Sequence, residues 1–201
     1  MVKLEIAGVE DFPRIYKDMT QQFPESELKS REDFVSLLHN NCYKLILASD
    51  NEKNIGYIIV FQDKTGGYLW LDYIAVFGEY HSKGFGGQML GELKNLFSDA
   101  CGIFLEVEKP DENVPATLRR IKFYQKHGAE LVNNNYLYPN ADGFLPMDLY
   151  FIPYSGKLPD KEHIFSAIQN VFDVLHQNLA HKDYVYDLIV KESGNTDARK
   201  F

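Results

Sequence analysis

Residues 71–90 read LDYIAVFGEYHSKGFGGQML. An apolar run ends at Val76, a short polar turn follows, and Gly84, Gly86 and Gly87 open an amphipathic helix. Glycine has no Cβ, so backbone N–H groups at such positions can approach a bulky anion closely. The helix that follows adds the positive end of its dipole. Strand, glycine turn and helix, in that order, make a site for a pyrophosphate, and the fold turns on which pyrophosphate it is.

Three anion-binding readings of these glycines compete with a fourth in which they only shape a turn and a helix start. A P-loop needs Gly-x-x-x-x-Gly-Lys-Ser/Thr, and neither Lys nor Ser/Thr follows Gly86 or Gly87. A dinucleotide fold needs Gly-x-Gly-x-x-Gly with an acidic residue after the next strand; the third spacing is wrong, although Glu106 and Glu108 do end the next apolar run. The third pattern is Gln/Arg-x-x-Gly-x-Gly/Ala after a strand ending in Ala-Val, here His81-Ser82-Lys83-Gly84-Phe85-Gly86. This resembles motif A of the GNAT superfamily of acetyl-CoA-dependent N-acetyltransferases. A second segment favours that reading. Residues 119–129, RRIKFYQKHGA, resemble motif B of the same family, a helix carrying Phe-Tyr-x-x-x-Gly. Gly128 reads as the residue just past the helix, and Lys122, Lys126 and His127 lie in its last turn, where cations suit the dipole. The two motifs stand in family order with one strand candidate between them, and the resemblance covers about residues 2–153.

Composition sets the outer bounds. The 201 residues suit one domain, or one domain and an appendage. A hydrophobic content of 45%, with 14 Phe and 13 Tyr, is enough for a packed core. The net charge of −8 argues against broad nucleic-acid or anionic-membrane binding and favours a cationic acceptor. Cys42 and Cys101 form no disulfide framework and no metal spacing, which fits a reducing, cytoplasmic setting. No signal peptide is expected from MVKLEIAGVEDF, and no apolar run has the length of a membrane span.

Hydrophobic periodicity predicts the order β-α-α-β-β-β-α-β-α-β-β. The spacing gives a strand at 2–6, helices at 9–22 and from Ser30, and strands at 43–49, 55–62 and 68–76. A helix at 84–98, a strand at 103–108 and a helix at 116–127 follow. Two last strands, 130–138 and 147–154, are joined by a long loop from Pro139 to Pro146. Short turns imply antiparallel pairing, and the strand–helix–strand unit of 68–108 implies one parallel pair. The expected fold class is α/β, a GNAT-like mixed and mostly antiparallel sheet with one splayed parallel pair. Residues 1–155 are expected to form the acetyltransferase domain. Residues 156–201 read as a helical extension, packed on the domain or on a partner chain, with a frayed tail from Ser193.

The resemblance assigns roles. It implies acetyl-CoA as cosubstrate, no metal, and transfer to a primary amine of a small molecule or peptide by direct attack. No cysteine lies in either motif to carry a covalent intermediate. The backbone of Ile74, Ala75 and Val76 would run along the pantetheine arm. The turn His81, Ser82, Lys83, Gly84, Phe85, Gly86 and Gly87 would grip the pyrophosphate, with Thr117 and Phe123 of the second motif beside the coenzyme. His81 stands where the family usually has Gln or Arg, Ser82 where Gly is frequent, and Thr117 where Asn is often seen. Tyr124 is expected to supply a proton to the departing sulfur. Glu106 or Asp72 would take the proton from the amine. Asp72 is expected on one strand face with Trp70 and Ile74. Glu25 and Tyr136 are candidates for an acidic, aromatic acceptor rim. Each of these side chains also has an ordinary structural reading, as a core tyrosine, a salt-bridged carboxylate or a loop residue. The chain is expected to act as a monomer or homodimer, without nucleic-acid or membrane partners. The alternatives are an acyl-CoA-binding module of the same fold without turnover, and an α/β protein that binds ATP or NAD.

Overall fold

The computed structural model describes residues 1–63 and 65–196. The chain divides into two compact units, Met1–Ala100 and Cys101–Phe201. Each combines an antiparallel sheet with helices.

The first unit runs β1 (Lys3–Ala7), α1 (Phe12–Gln22), α2 (Arg31–Leu38), β2 (Tyr43–Asp50), β3 (Lys53–Asp63), β4 (Tyr68–Val76) and α3 (Phe85–Leu96). Pro13 lies in the first turn of α1, where its missing N–H costs nothing. Ser30 caps α2, its hydroxyl oxygen accepting from the Asp33 N–H at 3.1 Å. Strands β1 to β4 pair antiparallel in sequence order. The tight link between β2 and β3 holds Asn51 and Glu52 at φ of 49° and 64°, the left-handed pair that a two-residue hairpin turn requires. Phe12, Ile15, Met19 and Phe34 fill the core from α1 and α2, and Phe34 stacks obliquely on Tyr73 of β4 at 5.4 Å. Met89, Leu90 and Leu93 are the buried face of α3.

One irregularity in this sheet bears on the site. Ile59 of β3 faces Tyr73, and Val60 faces Leu71, so Asp72 is the extra residue of a β-bulge. Strict alternation breaks there, and the expected single face of Trp70, Asp72 and Ile74 does not run through the bulge.

The second unit holds β5 (Gly102–Glu108), α4 (Pro115–Lys126), β6 (Glu130–Asn140), β7 (Gly143–Pro153), α5 (Lys161–Leu175) and α6 (Lys182–Thr196). Its strands lie in the order β5-β7-β6, both pairings antiparallel. The expected long loop between the last two strands is instead a tight hairpin. Pro139 and Pro146 argue for irregular backbone by sequence, because proline cannot donate to a sheet ladder. The pairing of β5 with β7 ends at Met147, so Pro146 sits where β7 has no neighbour on its β5 side. Pro139 lies on β6, at the end of the three-strand order. On β6 the registers skip between Leu131 and Asn133 and again before Tyr136, marking two more bulges.

The C-terminal helices pack within this second unit. Ile164, Ile168, Val171 and Phe172 of α5 and Val185 and Ile189 of α6 are buried, and α6 lies against β6. The Asn133 side chain donates to the Ser193 hydroxyl at 3.1 Å. Residues 193–196, expected in the tail, belong to α6; the rest of that tail, and Lys64, lie outside the described residues.

Candidate active site

The glycine turn is built as a left-handed step followed by a helix start. A short 3-10 turn, Gly78–Tyr80, leaves β4, and then Ser82 and Gly84 adopt φ of 62° and 80°. Such angles cost a side chain with a Cβ energy, and Ser82 bears that cost. A Cβ added to Gly84 would meet no atom within 4 Å, so its glycine serves conformation rather than space. No side chain caps α3. Among the described residues, no protein acceptor bonds the amides from Gly84 to Gly87. They lie at exposed or half-buried positions at the positive end of a twelve-residue helix. A row of unused N–H donors of this kind fits the diphosphate of coenzyme A.

His81 is exposed and bonds back to the strand that precedes the turn. Its Nε2 lies 2.7 Å from the Val76 carbonyl oxygen. A carbonyl only accepts, so that nitrogen carries the proton. The Gln22 amide donates to the same oxygen at 3.2 Å and to Asp18 at 2.6 Å. Both lone pairs of the Val76 carbonyl are therefore taken within the first unit, although sequence reading placed that carbonyl along the cofactor arm. The Lys83 ammonium donates to the Glu79 carbonyl and lies over the Tyr80 ring. Phe85 stacks edge-on against Tyr80 at 6.1 Å.

Asp72 has protein partners on both oxygens. The Lys29 ammonium donates to Oδ1 at 2.8 Å and to Oδ2 at 2.9 Å, and the Tyr43 hydroxyl donates to Oδ2. The side chains of Lys29 and Asp72 are only 7% and 3% exposed, so this is a buried ion pair. Lys29 also lies over the Tyr73 ring, and the Tyr73 hydroxyl donates to the Glu27 carbonyl at 2.6 Å. Together these contacts tie the 23–30 segment to β4. Glu25 sits exposed on that segment. Nothing in the spacing of residues 25–43 announced Lys29 and Tyr43 as partners of Asp72; tertiary packing brings them there.

The second unit carries the other candidate groups. Tyr124 lies on α4, whose end has the Schellman pattern: the Ala129 N–H bonds the Tyr124 carbonyl and the Gly128 N–H bonds that of Gln125. Gly128 takes φ of 87° there. The Phe-Tyr-x-x-x-Gly spacing is thus the stop signal of the helix, and it fixes the backbone that carries the phenol. Tyr124 is buried, and burial pushes its phenol up to about 12; the nearby Arg120 guanidinium opposes the rise and Glu108 adds to it. Among the described residues, no group hydrogen-bonds its hydroxyl. Phe123 stacks between Tyr124 and His127, with centroids at 5.2 and 4.9 Å.

Glu106, on β5, accepts a hydrogen bond from the Tyr136 hydroxyl. Tyr136 was expected on an accessible rim. It is fully buried, edge-on to Phe172 of α5 at 6.3 Å. Glu108 pairs with Arg120, and Asp148 with Lys109, which also reaches the Asn134 carbonyl at the β6 bulge. Thr117 holds the loop before α4: its hydroxyl accepts from the Asp111 N–H at 3.0 Å and donates to the Val114 carbonyl at 2.9 Å. Among the described residues, no group of three His, Cys, Asp or Glu is placed to hold a metal ion, and no helix is long and apolar enough to cross a membrane.

Comparison with known proteins bears on the same region. The sequence profile of the acetyltransferase (GNAT) family matches residues 10–129, more than half of the chain. YjbC of Bacillus subtilis (strain 168), which carries a provisional assignment as an acetyltransferase, is 25% identical over 170 residues, 84% of each chain. A solved structure from Bacteroides thetaiotaomicron, provisionally placed in the GNAT family, is 23% identical. It covers 86% of this chain and 97% of its own, with a TM-score of 0.74. An aminoglycoside 6'-N-acetyltransferase solved with coenzyme A is 16% identical and covers 79% of this chain and 99% of its own, with a TM-score of 0.59. The fold class is the expected one, α/β with a mixed, mostly antiparallel sheet that includes one parallel pair. The chain belongs to the acetyltransferase (GNAT) family.

Proposed function

We propose that this acetyltransferase takes the acetyl group from acetyl-CoA and passes it to a primary amine of a small molecule or peptide by direct attack. The observation that carries the reading is the row of unused amides from Gly84 to Gly87 at the start of α3. When bound, acetyl-CoA supplies an acetyl group already activated as a thioester. The amides from Ser82 to Gly87 hold the diphosphate, and Ile74 and Ala75 on β4 flank the arm. The amine would be oriented from the segment that carries Glu25, and an acidic side chain there suits a cationic acceptor.

Tyr124 meets the departing sulfur. A phenol raised to about 12 keeps its proton throughout the neutral range. An ordinary thiol titrates at about 8.5, so complete transfer from this phenol to the sulfur runs uphill by roughly three pKa units. Tyr124 therefore acts chiefly as a hydrogen-bond donor to sulfur as charge gathers there. Glu106 takes the proton released by the amine, directly or through water. Asp72 is the weaker candidate for that role, because an ammonium and a phenol already occupy both its oxygens.

Isothermal titration with coenzyme A, followed by thiol release across a panel of amines, tests the reading. Binding by the native chain, its loss in Gly86→Glu and thiol release with at least one amine are expected. Native protein that does not bind coenzyme A would overturn the proposal. Binding without release for any amine would favour a non-catalytic acyl-CoA-binding module.

A further inference from the structure

The turn after β4 is held from behind by a polar chain that the motif does not announce. The Tyr57 hydroxyl, deep in the first unit's core, donates to Asp18 at 2.9 Å. Burial and the Asp18 charge hold that phenol well above the usual tyrosine range. Asp18 accepts from the Gln22 amide on the next turn of α1, and the same amide nitrogen donates to the Val76 carbonyl. His81 closes the chain with its Nε2 proton on that carbonyl. Four residues of turn thus separate two groups that bond each other, and the left-handed Ser82 follows directly.

We propose that His81 is a positioning residue: its Nε2–H, with Gln22, latches the end of β4 to the turn, so that the amides from Ser82 to Gly87 are already aimed before the diphosphate arrives. The inference rests on the reading of this turn as the diphosphate grip. It departs from a role in which the side chain at this place meets the phosphates with its own charge. Because the imidazole is spent on Val76, affinity comes from backbone donors that lose little freedom on binding. The Val76 carbonyl is also withdrawn from the cofactor arm, which must use other groups of β4.

The test compares two substitutions of similar length. In His81→Gln, the amide nitrogen lies the same number of bonds from Cα as Nε2 and can donate to Val76. His81→Met keeps the reach and has no proton to give. Coenzyme A affinity by isothermal titration is expected to fall about tenfold in His81→Met, the order expected for a lost hydrogen bond that organises the site. It should return to within about threefold of native in His81→Gln. Amide hydrogen exchange at Phe77 and Tyr80, whose N–H groups are bonded in the free protein, should quicken in His81→Met and not in His81→Gln. Unchanged affinity in His81→Met, or equal loss in both variants, overturns the latch while leaving the diphosphate grip in place. Failure of the native chain to bind coenzyme A removes the grip itself, and the latch with it. Should His81→Met not fold, His81→Leu carries the same comparison against His81→Gln.

Discussion

Tyr124 and Lys29 are both buried polar groups, and they sit under opposite demands. Tyr124 has no protein partner for its hydroxyl among the described residues, so that proton remains available to a bound group. Tyr124→Phe is expected to lower turnover by about tenfold or more, the order found for a lost acid or donor, with coenzyme A affinity nearly kept. Steady-state kinetics beside isothermal titration checks this, and unchanged turnover would remove the phenol from the mechanism. Lys29 is fully committed to Asp72. Lys29→Met leaves a carboxylate buried without its cation and is expected to cost about 3–5 kcal/mol of stability, read from urea denaturation. A loss below about 1 kcal/mol, the size typical of exposed pairs, would mean that water reaches Asp72 and screens it.

Elements were legible where a local rule decides them. Ser30 before α2, Pro13 in α1 and Gly128 after α4 each mark a boundary by backbone chemistry alone, and the structure puts each to that use. Gly128→Ala is expected to cost about 1–2 kcal/mol, since a Cβ disfavours φ of 87°. Thermal melting would show it, and an unchanged midpoint would mean that the Schellman turn can rearrange. The misses share a different cause. The bulge at Asp72 and the hairpin between β6 and β7 depend on which strand lies alongside, and periodicity holds no record of neighbours. Tyr136 illustrates the cost at the site. Its sequence neighbours are three asparagines, which read as a polar rim, yet α5 covers it from far along the chain. Motif spacing marked the glycine turn that opens α3 and the helix that carries Tyr124. It could not locate the contacts of Lys29 and Gln22, which cross dozens of residues, or the bond of His81 back to Val76.

At the scale of the molecule, several phenols titrate late for one reason. Burial raises Tyr57, Tyr124 and Tyr154 above the ordinary tyrosine value of 10.0. The folded chain therefore holds protons that the unfolded chain gives up above that value. This contribution to stability is fully present below pH 10.0 and is lost as pH climbs through the folded values, about 12 for Tyr124. Denaturation midpoints are expected to hold steady from neutral to mildly alkaline solution and to fall beyond. Tyrosinate absorbance from these rings should appear together with unfolding. Ionisation of all the tyrosines at pH 10.0, before any loss of structure, would contradict their burial.

The bulged, proline-bearing β6 carries a colloidal consequence. Two surplus residues and a missing donor deny an approaching copy the straight amide row that fibre growth needs. The strand at the margin of its sheet is thereby shaped to refuse recruitment into cross-chain stacks.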